Sequence, residues 1–169
     1  MIKQEIQEAL NAQIIREMYS SNLYLSMAAY YASNNLNGFA SWMRLQAEEE
    51  LRHALKIFDF VLDRNGKIQL EKIPSPPISW ESPIAPFEDS YKHEQLISSQ
   101  INEIQDLAFQ LKDYATVSFL NWFADEQVEE EKNTNDILDR LHLAGDSKAS
   151  LFLIDRELGT RQPGQSSKK

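Results

Sequence analysis

The chain has 169 residues, 42% of them hydrophobic, no cysteine and a formal net charge of −9. A length of this order suits one domain with a sizeable core. The acidic balance argues against nucleic acid or an anionic membrane as the main partner and favours cations, while the missing thiols exclude disulfides, iron–sulfur clusters and thiolate zinc sites.

Leu, Ile, Ala, Glu, Gln and Lys dominate, and there are only five glycines, so helix is the default expectation. Compact interruptions at NNLNG (34–38), RNG (64–66), LKDYA (111–115) and LAGDS (143–147) divide the chain. A longer connection from Gly66 to Ser82 holds Pro74, Pro76 and Pro77 and ends just before Pro83. Helices are therefore expected at 4–34, 38–65, 83–111, 115–144 and 147–158. The short breaks make antiparallel hairpins of the first pair and of the second pair. Each long helix spans about 42 Å, and the long connection stretches to roughly 56 Å, enough to run the full length of a bundle. The expected fold is all-α: an up-down-down-up four-helix bundle with one long crossover, plus a short C-terminal fifth helix.

The opening MIKQEIQEAL has no apolar stretch of the signal-peptide kind, and no later apolar run is long enough to span a bilayer, so a cytoplasmic protein is expected. One domain over 1–160 is followed by a polar tail, RQPGQSSKK (161–169), expected to be a frayed end.

A core stripe at alternating steps of three and four can be drawn on each long helix. The first runs Leu10, Ile14, Glu17, Ser21, Tyr24, Ala28, Tyr31, and the second Phe39, Met43, Gln46, Glu50, His53, Ile57, Phe60. The third runs Phe87, Tyr91, Glu94, Ile97, Ile101, Ile104, Ala108, Leu111, and the fourth Leu120, Phe123, Gln127, Glu130, Thr134, Ile137, Leu141. Each is mainly apolar, and each carries an acidic residue near its middle. Taken singly, an E-x-x-H or a run such as EQVEEEK (126–132) would be an ordinary solvated helix face. The register argues otherwise: one shift of 77 positions carries 17, 50 and 53 onto 94, 127 and 130.

Four carboxylates, Glu17, Glu50, Glu94 and Glu130, would then share one level of the core with the His53 imidazole and the Gln127 amide. Unpaired buried charges cost several kcal/mol each, and no Lys or Arg lies mid-stripe to pair them. Either the glutamates are protonated or cations fill the site, and two divalent ions would balance four carboxylates. Oxygen-rich ligation with a single imidazole suits iron or manganese, with zinc able to compete.

Glu17 with Tyr24, EEELRH (48–53), YKHEQL (91–96) and NWFADEQVEEEK (121–132) resemble the bacterial non-haem ferritins over roughly residues 1–160. The resemblance implies a ferroxidase centre with Glu17 and His53 on one iron, Glu94 and Glu130 on the other, and Glu50 bridging. Gln127 would be an outer ligand or hydrogen-bond partner. A third iron site is implied at Glu49, Glu126 and Glu129, shared with Glu130, and Tyr24 and Trp122 match residues that take part in electron transfer. Fe(II) would be oxidised by O2 or hydrogen peroxide and stored as ferric mineral inside a hollow homo-oligomer, normally of twenty-four subunits. The last helix, SKASLFLIDREL (147–158), is apolar all round, which calls for a partner subunit; docking on its own bundle is the alternative.

Departures separate the relatives. Bacterioferritins carry a second E-x-x-H and a haem-binding methionine, whereas this chain has Gln127-x-x-Glu130 and Leu51, so no haem is expected. Rubrerythrin-like peroxidases add a cysteine-ligated domain, and the mini-ferritins that coat DNA lack the fifth helix. Two functional alternatives to storage remain: a di-iron oxygenase or peroxidase acting on an organic substrate, and an oxidative-stress iron detoxifier. A purely structural bundle is disfavoured by the buried carboxylates.

Overall fold

The structure is a computed structural model that describes residues 1–164; residues 165–169, the rest of the expected tail, lie outside the described part. Five helices follow one another, with no strand among the described residues: α1 (Gln4–Ser33), α2 (Asn37–Asp63), α3 (Ala85–Gln110), α4 (Tyr114–Ala144) and α5 (Lys148–Leu158). Each boundary falls within two residues of its expected place. The turns after α1, α2 and α3 place Asn35, Asn65 and Lys112 at φ of 59°, 55° and 55°. Asparagine tolerates this left-handed region readily and lysine does so less well.

The connection from α2 to α3 is an extended strap laid along α1. The Lys67 N–H donates to Gln7 Oε1 at 2.7 Å, and Asn11 both donates to the Lys67 carbonyl and accepts from the Gln69 N–H. Further up, Ser26 donates to the Pro77 carbonyl, and Tyr31 donates to that of Pro83 at 2.6 Å. The strap therefore climbs in the direction of α1 and delivers α3 to the far end. The up-down-down-up topology follows.

The apolar core is in two halves. One gathers Leu23, Met27, Tyr31, Phe39, Met43, Phe87 and Leu141; the other gathers Ile6, Leu10, Ile14, Ile57, Ile101, Leu120 and Phe123. Between them lies a layer of buried polar side chains, among them Glu17, Gln46, Glu50, His53, Glu94, Gln127 and Glu130. Every mid-stripe position expected to face inward does so. Phe60, Tyr91 and Leu111, at or near stripe ends, are only half-buried. A strict three-and-four stripe repeats every 3.5 residues and drifts about 20° per heptad from a straight helix, so its ends rotate toward solvent.

Two expectations need correction. α5 is not left waiting for a partner subunit: Ile154 and Leu158 are buried on its own bundle, and Leu151 packs beside them. Only the opposite face stays apolar and open, with Phe152 60% and Leu153 65% exposed. The docking has a polar anchor. Asp155 Oδ1 accepts from the N–H groups of Gly38 at 2.8 Å and Phe39 at 3.0 Å, capping α2, whose own first residues supply no side-chain cap. Only glycine fits at 38, because a Cβ there would fall 1.6 Å from the Asp155 carbonyl oxygen. The second correction concerns the tail: Arg161 is not frayed, since it reaches Gln46 and Glu49 on α2.

Asp155→Ala removes the acceptor for both N–H groups. A lost cap of this kind costs about 1–2 kcal/mol, so thermal unfolding of the apoprotein should move down by a few degrees. Differential scanning calorimetry of the variant checks it.

Candidate metal centre

The middle turns of the four long helices meet at one level, as the shared register requires, and each contributes a carboxylate. Glu17, Glu50 and His53 each offer one ligand atom, all within 4.8 Å of one another; this is the only such group of three among the described residues. Their atoms are poorly satisfied. Glu17 Oε2, Glu50 Oε1 and His53 Nδ1 are buried without a hydrogen-bond partner. Buried polar groups are almost always paired, so three orphans in one cluster mark a place shaped for something that accepts lone pairs.

The other carboxylates on this level are engaged by the protein's own donors. Glu94 accepts from the Tyr24 hydroxyl and from Gln127 Nε2 at 3.1 Å. Gln127 thus acts as a hydrogen-bond partner here, and it also donates to the Glu94 carbonyl at 3.2 Å. Glu130 Oε2 accepts from Gln46 Nε2 at 2.7 Å. Glu17 keeps one oxygen on Gln13 Nε2, also at 2.7 Å.

Beside this layer, an opening of about 420 Å³ is lined by Glu49, Arg52, His53, Lys56, Trp122 and Glu126, among others. Glu126 Oε1 stands 3.9 Å from His53 Nε2. The Trp122 ring lies edge-on to His53, 5.5 Å between centroids, with the Lys56 ammonium 4.1 Å above the indole. Glu49 is buried but bound on both sides, with Arg161 on Oε2 and Arg52 3.4 Å from Oε1. Glu129 is half-buried near Glu126 and adds to its negative surroundings.

Three further residues contribute to the layer. Gln13 is one helical turn before Glu17, a spacing that could have found it. Gln46 lies on the drawn stripe but is a donor rather than a ligand. Arg161 carries no periodic signal, and it brings a cation to the edge of the layer from beyond α5.

Burial without a cation shifts the titrations strongly. Desolvation pushes Glu17 up to about 7 and Glu130 up to about 8, with the Glu94 charge adding to both. Glu50 is driven well above its ordinary value by desolvation, then by Glu94, Glu17 and Glu130, and Glu94 is raised mainly by burial. His53 is lowered to about 4 by burial, helped by Arg52 and Lys56, so it is a neutral imidazole and its contact with Glu50 is no ion pair. Burial holds the Tyr24 phenol well above its ordinary value, so it donates as a neutral group.

Linkage fixes the sign of the consequence. Glu17 and Glu130 bind protons more tightly folded than unfolded, so their contribution is fully present below 4.5 and is lost as pH rises through about 7 and about 8. His53 and His93, both lowered by burial from 6.5 to about 4, act oppositely: their contribution is present above 6.5 and lost as pH falls toward 4. The melting temperature of the metal-free protein should therefore fall between pH 6.5 and about 8. Saturation with Zn(II), which replaces the carboxyl protons, should flatten that fall. Scanning calorimetry across the range, with and without zinc, reads both.

The chain has well-defined relatives. A family model described as the ferritin-like domain matches residues 7–144. A bacterial non-heme ferritin of Bacteroides fragilis is 42% identical over 161 residues, covering 95% of this chain and all of that one. The bacterial non-heme ferritin of Escherichia coli O6:H1 is 41% identical over 160 residues, 95% of this chain and 97% of its own. Among solved structures, an open-pore ferritin from the hyperthermophilic archaeon Archaeoglobus fulgidus superimposes with a TM-score of 0.95 at 48% identity. The match covers 96% of this chain and 100% of that one. The register of buried carboxylates and the match along almost the whole length agree: this chain belongs to the ferritin-like family.

Proposed function

We propose that the protein is an iron-storage ferritin that oxidises Fe(II) within its own helical bundle and keeps the ferric product inside a hollow homo-oligomer. The observation that carries this reading is the trio of orphaned buried atoms on Glu17, Glu50 and His53. Iron here is substrate and cargo. Fe(II) would enter through the charged opening beside Trp122 and bind at the trio, with His53 already neutral and a carboxyl proton leaving as the ion arrives. Glu94 and Glu130 would take a second ion, with Glu50 between the two, at the expense of their present hydrogen bonds. Each Fe(II) gives up one electron, and O2 or hydrogen peroxide accepts it. Anionic carboxylate ligation lowers the energy of Fe(III) relative to Fe(II), which is the protein's contribution to the driving force.

Tyr24 donates to Glu94 and Trp122 lies edge-on to His53, and these two would carry electrons to and from the pair. Glu49, Glu126 and Glu129, with Glu130, form the third position on the onward path. The charged lining of the opening, with Arg52, Lys56, Glu49 and Glu126, favours ions over an organic substrate and so favours storage over an oxygenase. Exposed apolar side chains on several helices, including Phe109, Leu143, Phe152 and Leu153, support burial between subunits, in a shell of twenty-four. Among the described residues no helix is long and apolar enough to cross a membrane.

Glu17→Ala should abolish fast aerobic Fe(II) oxidation, followed by O2 uptake and by iron remaining soluble with the protein, while helicity is unchanged. The metal-free variant should be as stable as the parent or more so, since a crowded buried carboxylate is gone. Parental oxidation kinetics in this variant would mean that the trio is not the oxidation centre.

Glu126→Ala or Glu129→Ala should remove one bound metal per subunit and leave the others. Early oxidation should persist with altered O2 use per iron. An unchanged stoichiometry in metal-soaked crystals would reduce these residues to a solvated acidic face, whose effects are small and screened by salt.

A further inference from the structure

Two arginines reach the carboxylate layer through the same kind of relay. On α1, Arg16 donates to Gln13 Oε1 at 3.1 Å, and Gln13 Nε2 donates to Glu17. From beyond α5, Arg161 donates to Gln46 Oε1, and Gln46 Nε2 donates to Glu130. A guanidinium has only donors to offer, so it fixes which end of each amide faces the carboxylate.

The relays differ in anchorage. Arg16 is three residues from its amide on one helix, whereas Arg161 is 115 residues from Gln46. It is placed there by the Asp155 cap on α2 and by the turn that closes α5, where the Arg161 N–H donates to the Leu158 carbonyl at 3.3 Å. The guanidinium stacks 5.0 Å over the Trp42 ring, its side chain is only 12% exposed, and its second nitrogen donates to Glu49. One removable side chain thus holds Glu49 directly and Glu130 through an amide. The orphaned atoms of Glu17, Glu50 and His53 are untouched by it.

We propose that Arg161 is a tethered cation that holds Glu49 and, through Gln46, Glu130 in the metal-free protein, and that divalent ions bound after the first displace it and release the segment following α5. The proposal rests on the reading that Glu49 and Glu130 are metal ligands. The first ion fills the trio without disturbing Arg161. Later ions need the carboxylate oxygens that Arg161 and Gln46 occupy, and a divalent cation and a guanidinium repel each other at such range. Arg161 is in this sense a positioning residue and a competitor.

The test is anaerobic calorimetric titration of the assembled, metal-free, full-length protein with Zn(II) alone, paired with amide hydrogen exchange over residues 159–164. Arg161→Ala should tighten the later zinc steps about tenfold and leave the first within about twofold, with Arg161→Lys in between. Exchange over 159–164 in the parent protein should accelerate only when zinc passes the first equivalent. In Glu49→Gln, where α5 docking through Asp155 is untouched, it should already be faster without zinc. Later steps that are equal or weaker in Arg161→Ala would overturn the proposal, because loss of a merely structural contact cannot tighten them. Exchange that ignores zinc would overturn it as well. Binding that stops at one ion in both the parent and Arg161→Ala would overturn the ligand reading beneath it, a different signature.

Discussion

Four carboxylates buried at one level of an apolar bundle, none of them ion-paired directly with a Lys or Arg, are the constraint on which the rest of this structure depends. Charges of one sign in a low-dielectric interior either shed their charge or attract a counter-charge. The protein does the first while metal-free: Glu17, Glu50, Glu94 and Glu130 all hold protons more tightly than ordinary glutamates. A place for the second is offered by Glu17 Oε2, Glu50 Oε1 and His53 Nδ1, which are buried without a hydrogen-bond partner. The polar layer also divides the core, so each apolar half must hold its own end of the bundle. The aromatic cluster around Tyr31, Phe39 and Phe87 does this at one end, and the isoleucine-rich cluster does it at the other.

Around that layer the fold supplies neutral donors in place of charges. Gln13, Gln46, Gln127 and Tyr24 each give a hydrogen to a carboxylate. Such bonds orient the carboxylates, and they pull the raised proton affinities of Glu17, Glu94 and Glu130 partly back down. The arrangement is uneven: one oxygen each of Glu17 and Glu50 has no partner, whereas Glu94 and Glu130 are held by donors. An uneven site fills in order. Under the proposed function, in which Fe(II) is taken up, oxidised and passed on, an order of filling is directly useful.

Much of this was legible in the sequence, and the part that was not has a common cause. Glu17, Glu50, Glu94 and Glu130 could be placed at one level because helical periodicity and a single offset between two hairpins are carried by the residues themselves. The strap's path along α1 could be anticipated in length, but not in the contacts made by Gln7, Asn11 and Ser26, which follow no period. α5 was misjudged because four apolar residues in a row hide which face is inward. The choice is made by Asp155 finding the bare N-terminus of α2 at Gly38, a pairing across 117 positions. Arg161 was invisible for the same reason: a single charged residue in a polar segment acquires meaning only from what tertiary structure brings beside it.

The central claim is that cations replace protons in the carboxylate layer. Counting the protons released on metal binding tests it most directly, by anaerobic titration calorimetry of the metal-free protein at neutral pH in buffers of different ionisation enthalpy. With Glu130 at about 8 and Glu17 at about 7, the first is largely and the second about half protonated there, and burial raises Glu50 and Glu94 as well. The account predicts release of at least about one proton per subunit as zinc or Fe(II) fills the layer. Binding at full stoichiometry with no proton release would mean that the carboxylates were already ionised, and would contradict it.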